Sequence, residues 1–318
     1  MTKPRVAVIG AGSFGRHHLR ILSKSPNAQL AGVVDASPER ASAAAAEYGC
    51  AVFASAHDLT GRIDAAVVAV PTSSHADVGC VLLENGIDVL VEKPIAHDLE
   101  SARRLVDTAA KHNRILQVGH LERFNPAVAA LKKIVNVPLF FEIHRLSLFS
   151  PRSLDVDVVL DLMIHDLDIV LDLVGKMPEE IRAAGITILS DKVDIANVRL
   201  AFPGGCIANL TASRVSTERV RKLRLFQPHQ YISLDYQKQE SVAFTVSGNQ
   251  QIGFQPLAVT KDEPLRLEIE AFLEAVQNRG RPVVSGEEGL RALEIAIAIL
   301  GKIEEHARVV AQQIQSLP

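Results

Sequence analysis

The sequence predicts an α/β domain with a parallel sheet, followed by an α+β domain with an open, mostly antiparallel sheet. Three observations predict it. Short apolar runs alternate with helical stretches as far as Gly119, and a glycine-rich turn joins the first run to the first helix. From Ile181 onward, apolar residues instead recur at every second position between turn signals. The change of pattern sets the boundary, giving domains over 1–119 and 120–318.

Arg5–Ile9 is a short apolar run suited to a buried parallel strand, and a helix follows it to about Lys24. Leu30–Val34 is the next strand, Pro38–Tyr48 an Ala-rich helix stopped by Gly49, and Ala65–Val70 another strand. The alternation continues with a helix over Ser74–Glu84, a strand over Val89–Val91, a helix over Leu99–His112 and a strand over Ile115–Val118. Gly119–Pro126 then reads as a linker before a short helix, Ala127–Val135, and a strand, Phe140–Leu148. Asp157–Asp172 is a helix that is apolar almost all round. Period-2 strands follow over Ile181–Leu189, Asp194–Phe202, Cys206–Val215, Lys222–Phe226, Tyr231–Asp235 and Val242–Val246. Pro203-Gly204-Gly205 marks a hairpin, so these strands read as an antiparallel meander. Leu265–Asn278 and Gly289–Val309 are closing helices.

Composition narrows the function classes. The chain is 47% hydrophobic and 22% charged, with a formal net charge of -3, which excludes the basic surplus of a nucleic-acid binder. Cys50, Cys80 and Cys206 are far apart and form no CxxC pair, so neither a disulfide framework nor a zinc site is expected. No apolar run reaches the roughly 18 residues of a membrane span, and MTKPRVAVIG meets glycine too early for a signal-peptide core. A soluble, cytoplasmic protein with no membrane or nucleic-acid partner is the expectation. An open antiparallel sheet must cover its free face, so a homodimer or homotetramer built on that sheet is expected.

The first motif is Gly10-Ala11-Gly12-Ser13-Phe14-Gly15, with a strand before it, a helix after it, and Asp35 ending the second strand. This is the dinucleotide fingerprint in its required context. Gly10 permits the turn, Gly12 admits a pyrophosphate, and Gly15 lets the helix approach the strand. Asp35 accepts both ribose hydroxyls and repels a 2′-phosphate, favouring NAD over NADP; Arg40 softens this if its fork reaches the pocket. At later strand ends stand Pro71, Thr72 and His75, and then Glu92-Lys93-Pro94. A Glu-Lys pair after an apolar strand is costly to bury unless it is paired or used. Pro94 stiffens its turn and admits a cis bond.

The second constellation is a polar stripe on the Asp157–Asp172 helix. At about 100° per residue, Asp157, Asp161, His165, Asp168 and Asp172 fall within roughly 80° of arc. Such a stripe faces water, a partner or a ligand. Asp161 lies one turn before His165, the placing of a carboxylate that orients a general base. The stripe has the atoms for a metal, but no supporting Cys or His cluster appears and none is expected.

Taken together, GAGSFG, VPTSSH, EKP and DLMIHDLD resemble the Gfo/Idh/MocA oxidoreductase family over essentially the whole chain. The resemblance implies an NAD(P)-dependent dehydrogenase of sugars, sugar nucleotides, inositols or related polyols, with Lys93, Asp161 and His165 as its catalytic group. It also implies cofactor contacts at Gly10, Gly12, Ser13, Phe14, Gly15, Asp35, Pro71, Thr72, His75, Glu92 and Lys93. GHLERFNPA further resembles members that oxidise the 3-hydroxyl of a UDP-N-acetylhexosamine.

Alcohol oxidation needs a base, a group that steadies the alkoxide, and a C–H aimed at the nicotinamide. An imidazole such as His165 suits the base role at neutral pH, and Lys93 suits the second; their roles can also be exchanged or shared. Arg123 and Asn125 are the expected substrate contacts beside Lys93, Asp161 and His165, Arg123 gripping a diphosphate or carboxylate by its fork. The plainer reading of Arg123 is a salt bridge with a neighbour such as Glu122. His120 reads as structural, and no chemistry is assigned to His17 or His18. An alternative of another class is a sensor that binds NAD and a sugar without turnover.

Overall fold

The computed structural model describes residues 3–149, 156–189, 191–246, 248 and 251–315. The chain divides into two compact units. The first comprises the residues up to Leu121 together with Glu263–Leu293; the second comprises Glu122–Asp262 and the residues from Glu294 onward.

The first unit alternates β1 (Arg5–Ile9), α1 (Ser13–Leu22), β2 (Gln29–Val34), α2 (Pro38–Tyr48), β3 (Ala51–Val52), β4 (Ala65–Val68), α3 (His75–Glu84), β5 (Asp88–Glu92), α4 (Leu99–Lys111) and β6 (Leu116–Gly119). The strands form one parallel sheet in the order β3-β2-β1-β4-β5-β6. Ala65–Val68 and Val89–Val91 are fully buried because both faces of such a sheet are covered. The two-residue β3 lies on the sheet edge, too short to leave a sequence period.

The second unit begins with a short turn, Leu121–Phe124, at its entry, then α5 (Pro126–Lys132) and β7 (Phe140–Leu148). A wide π-type turn, Val159–Met163, leads into α6 (Ile164–Val174). Then come β8 (Glu180–Ile186), β9 (Ile195–Ala201), β10 (Ile207–Ser216), β11 (Val220–Gln227), β12 (Gln230–Asp235), β13 (Glu240–Val246) and β14 (Ile252–Pro256). The sheet order is β14-β13-β12-β11-β7-β10-β9-β8. The expected meander is therefore interrupted: β7 enters between β10 and β11, pairing parallel with β10 and antiparallel with β11. Buried residues alternate along the strands, as in Ala196, Val198 and Leu200 of β9 and Leu223 and Leu225 of β11. On the opposite face Phe140, Phe226, Tyr231, Phe244 and Phe254 form an aromatic row, with successive ring centroids 5.9, 4.9, 5.2 and 5.4 Å apart.

The helix α7 (Pro264–Asn278) corrects the single boundary expected after Gly119. Its Leu265, Ile269, Phe272, Leu273 and Val276 join Val6, Val8, Leu19 and Leu22 in one core, so the chain returns to the first unit. The division falls within α8 (Gly286–Gln315), whose residues to Leu293 count with the first unit and the rest with the second. No helix among the described residues is long and apolar enough to cross a membrane, and the three cysteines are free thiols.

Candidate active site

The glycine-rich turn meets its expected geometry, with one refinement. Gly10 has φ +98°, and a Cβ there would lie 2.4 Å from the Ala69 carbonyl oxygen. A Cβ on Gly15 would lie 1.7 Å from the Gly10 carbonyl oxygen and 3.7 Å from Val8 Cγ1. Gly15 thus packs on the turn itself first and on the strand second. A Cβ on Gly12 would meet nothing within 4 Å, leaving that backbone open to a ligand. Gly12 also caps α1 without a side-chain bond, and the first turn carries no acidic residue. This uncapped, positive helix end fits a pyrophosphate. Ser13 and Phe14 are exposed beside it.

Asp35 ties the second strand to this turn. Its Oδ2 accepts from Ala11 N at 2.7 Å; its Oδ1 accepts from Ser37 N at 2.8 Å and from Arg40 Nε and Nη2 at 3.0 and 2.9 Å. Burial alone would raise its pKa, but the bonds from Ser37, Ala11 and Arg40 hold it below the usual carboxylate value. A carboxylate oxygen has more than one lone pair, so Oδ2 can also accept from a ribose hydroxyl. Arg40 folds back onto Asp35 here.

At the strand ends, Thr72 opens a short turn, Thr72–Ser74, and Pro71 beside it is exposed. His75, expected at the cofactor, is instead buried between main-chain carbonyls: Nδ1 lies 2.9 Å from Pro94 O and Nε2 3.0 Å from Val70 O. Burial pushes its pKa down, so a neutral ring donates to one of the two. It staples the turn that carries Lys93, and the Lys93–Pro94 bond is cis. Lys93 is half-buried. Glu92, also expected at the cofactor, accepts from His18 Nε2 at 2.7 Å with its other oxygen 3.3 Å from Lys93 N. His18, to which the sequence assigned nothing, is fully buried.

In the second unit the polar stripe does not act as one face. Asp157 accepts from Val193 N at 2.8 Å. Asp168 takes the Arg123 fork at 2.7 and 3.1 Å, and Asp172 takes Arg123 Nη1 at 2.9 Å and Lys132 at 2.8 Å. Asp161, in the π-type turn, and His165, one residue into α6, are half-buried, and His165 Nδ1 is shielded from solvent. Widened helical turns of this kind recur at functional sites.

Arg123 and Asn125 correct the substrate expectation. The Arg123 side chain is 4% exposed and its fork meets Asp168 and Asp172. Asn125 Oδ1 accepts from Ala127 N and caps α5, while Nδ2 donates to Glu122 Oε2 and the Tyr236 carbonyl. Both are scaffold. Glu122 itself joins a buried network: Arg145 donates to Asp166 at 2.7 and 2.8 Å and to Glu122 at 3.0 Å, with its guanidinium 5.0 Å from the Tyr236 ring centroid. Burial works against the Arg145 charge, but Asp166 and Glu122 outweigh it and raise the pKa well above the ordinary value. Arg145 was detectable from sequence, because it follows Phe141 and Ile143 on the buried face of β7. His120 is buried.

Comparison with known proteins identifies the family. Residues 4–120 match the model of the oxidoreductase family with an NAD-binding Rossmann fold, and 145–229 match the GFO/IDH/MocA C-terminal domain. The chain is 37% identical, over 96% of its length and 98% of the relative's, to a UDP-N-acetylglucosamine 3-dehydrogenase of Acidithiobacillus ferrooxidans. A solved structure of that enzyme superposes with a TM-score of 0.91 at 36% identity, covering 96% of this chain and 99% of the other. An inositol 2-dehydrogenase of Rhizobium meliloti is 27% identical over 96% of this chain and 98% of its own. With both family models matched and a full-length relative above thirty per cent identity, the chain belongs to the Gfo/Idh/MocA family and is an NAD-binding oxidoreductase.

Proposed function

We propose that the chain oxidises the 3-hydroxyl of a UDP-N-acetylhexosamine, with NAD as hydride acceptor, as a cytoplasmic homo-oligomer. The observation that carries the substrate is the full-length likeness to the UDP-N-acetylglucosamine 3-dehydrogenase. Gly10, Gly12, Ser13, Phe14 and Gly15 would hold the pyrophosphate, Asp35 the adenosine ribose, and Pro71, Thr72 and the main chain of the Glu92–Lys93 turn the nicotinamide half. NAD supplies the acceptor for the carbinol hydride. Nε2 of His165 takes the hydroxyl proton, Asp161 one turn earlier orients the ring, and the Lys93 ammonium steadies the alkoxide.

Growth of NADH absorbance at 340 nm on a panel of UDP-sugars and free polyols tests this. The largest kcat/KM should fall on UDP-N-acetylglucosamine or an epimer. The likeness to the inositol 2-dehydrogenase favours a second reading, and turnover confined to inositols would establish it instead. Binding of NAD and sugar with no turnover anywhere on the panel would mark a sensor. The exposed aromatic row, with Phe254 63% and Ile252 73% exposed on its edge strand, supports assembly through this sheet. Sedimentation at micromolar concentration should give a mass above that of one chain.

Asp35→Ser removes the ribose acceptor and the charge that repels a 2′-phosphate, and releases Arg40. Loss of charged hydrogen bonds of about 1.5–3 kcal/mol lowers kcat/KM for NAD by roughly 10–100-fold. NADP turnover should rise. Unchanged NAD kinetics would remove Asp35 from the cofactor site.

A further inference from the structure

We infer that His18, Glu92 and Glu268 form a buried cluster in which Glu268 retains a proton, and that this cluster positions the turn carrying Lys93; the second half rests on the role of Lys93 proposed above. Three elements of one unit supply the groups: α1, the end of β5 and α7. One ligand atom from each lies within 4.8 Å of the others. The His18 and Glu92 side chains are 0% and 12% exposed, and Glu268 is 1% exposed.

Two carboxyls this close, away from water, cannot both ionise without a cation between them. His18 Nε2 and Glu92 Oε1 are 2.7 Å apart. Burial alone would raise the Glu92 pKa, but the hydrogen bond from His18 and then the nearby Lys93 charge hold it down; Glu92 is the carboxylate and Nε2 carries the hydrogen. Glu268 is the carboxyl left over, and its Oε1 meets no hydrogen-bond partner among the described residues. Burial first, and the Glu92 charge second, push its pKa well up. A metal fits less well, since tetrahedral zinc with bonds of 2.0–2.1 Å would hold neighbouring ligand atoms roughly 3.3 Å apart. The 2.7 Å contact is a direct hydrogen bond.

The link to Lys93 is the Glu92 carboxylate. Its Oε2 is 3.3 Å from the Lys93 amide nitrogen and would lie 3.1 Å from a Cβ on Gly119, so it is packed against β6. His75 holds the next carbonyl, that of Pro94. With Glu268 neutral, the lysine sees one buried negative charge from this pair. The titratable groups facing the pair are His18 from α1, His75 from α3 and Lys93 itself.

Glu268→Gln copies the protonated acid in shape and charge and provides the test. An unfolded glutamate releases its proton near pH 4.3, whereas the folded one retains it. Wild-type stability therefore falls relative to the variant as pH rises above that value. The Tm advantage of Glu268→Gln over wild type should widen from pH 5 to pH 9, and Glu268→Ala should lose Tm at every pH. Glu268→Gln, matching the neutral acid, should leave the alkaline limb of kcat/KM in place, whereas Glu92→Gln, which removes the one buried negative charge beside the lysine, should move it to lower pH. Tm curves that run parallel, or a Gln variant that does not fold at pH 7, overturn the retained proton. An unmoved limb in Glu92→Gln, with a widening Tm gap in Glu268→Gln, overturns the positioning role alone. Loss of wild-type Tm on EDTA dialysis, restored by Zn²⁺ or Mn²⁺ and absent in Glu268→Gln, would place a metal ion between the carboxyls and overturn the retained proton. A Lys93→Ala enzyme that turns over normally sinks the lysine reading and leaves the Tm result standing.

Discussion

Lys93→Ala and His165→Ala each lower kcat by about 10²–10⁴ while NADH still binds, as measured by single-turnover kinetics and fluorescence titration. The size follows from what each group supplies. Removing a positioned base leaves water to take the hydroxyl proton, and removing the ammonium leaves the alkoxide to develop without a counter-charge. Neither change touches the uncapped end of α1 or Asp35, where the dinucleotide gains its phosphate and ribose contacts. Lys93→Arg separates charge from proton transfer, since guanidinium keeps the charge and does not give up its proton. Partial activity in Lys93→Arg assigns the proton to His165, whereas loss as deep as in Lys93→Ala assigns it to the lysine. Near wild-type turnover by His165→Ala on a confirmed substrate would remove the imidazole from the mechanism.

The cofactor end was readable because its signals are local. A buried strand, three glycines at fixed spacing and an acid at the end of the next strand each state a backbone requirement within a few residues of one another, and Gly10 and Gly15 meet it with clashes that no side chain could survive. Pairing across distance leaves no such trace. Nothing in Phe140–Leu148 says that it will enter between β10 and β11, and Ile252–Pro256 hides its strand behind Gly253 and Pro256. The direction of a loop side chain is equally silent. Arg123 and Asn125 have the types that bind diphosphates, yet their turn aims them inward at Asp168, Asp172 and Tyr236. Where a regular period does run, a misfit residue is informative. Glu268 shares a helix face with Leu265, Ile269 and Phe272, which is the mark of a buried carboxyl.

Arg145→Met should cost about 3–5 kcal/mol of unfolding free energy, because it leaves Asp166 and Glu122 buried without their cation. The pair itself adds little net stability over an apolar core, since desolvating the ions offsets their attraction. The loss comes from the orphaned carboxylates. Arg221 stands in the same field, with burial and then the Arg145 charge holding its pKa down, so removing Arg145 lets it answer part of the negative charge and places the loss nearer 3 than 5. Denaturant melts of the two proteins measure the difference, and replacing Arg145, Glu122 and Asp166 together by Met, Leu and Leu should recover most of it. Asn125 is bound to Glu122, so a reversed order of stability between the single and triple variants would mean that the network is needed to hold the turn before α5 rather than to balance charge.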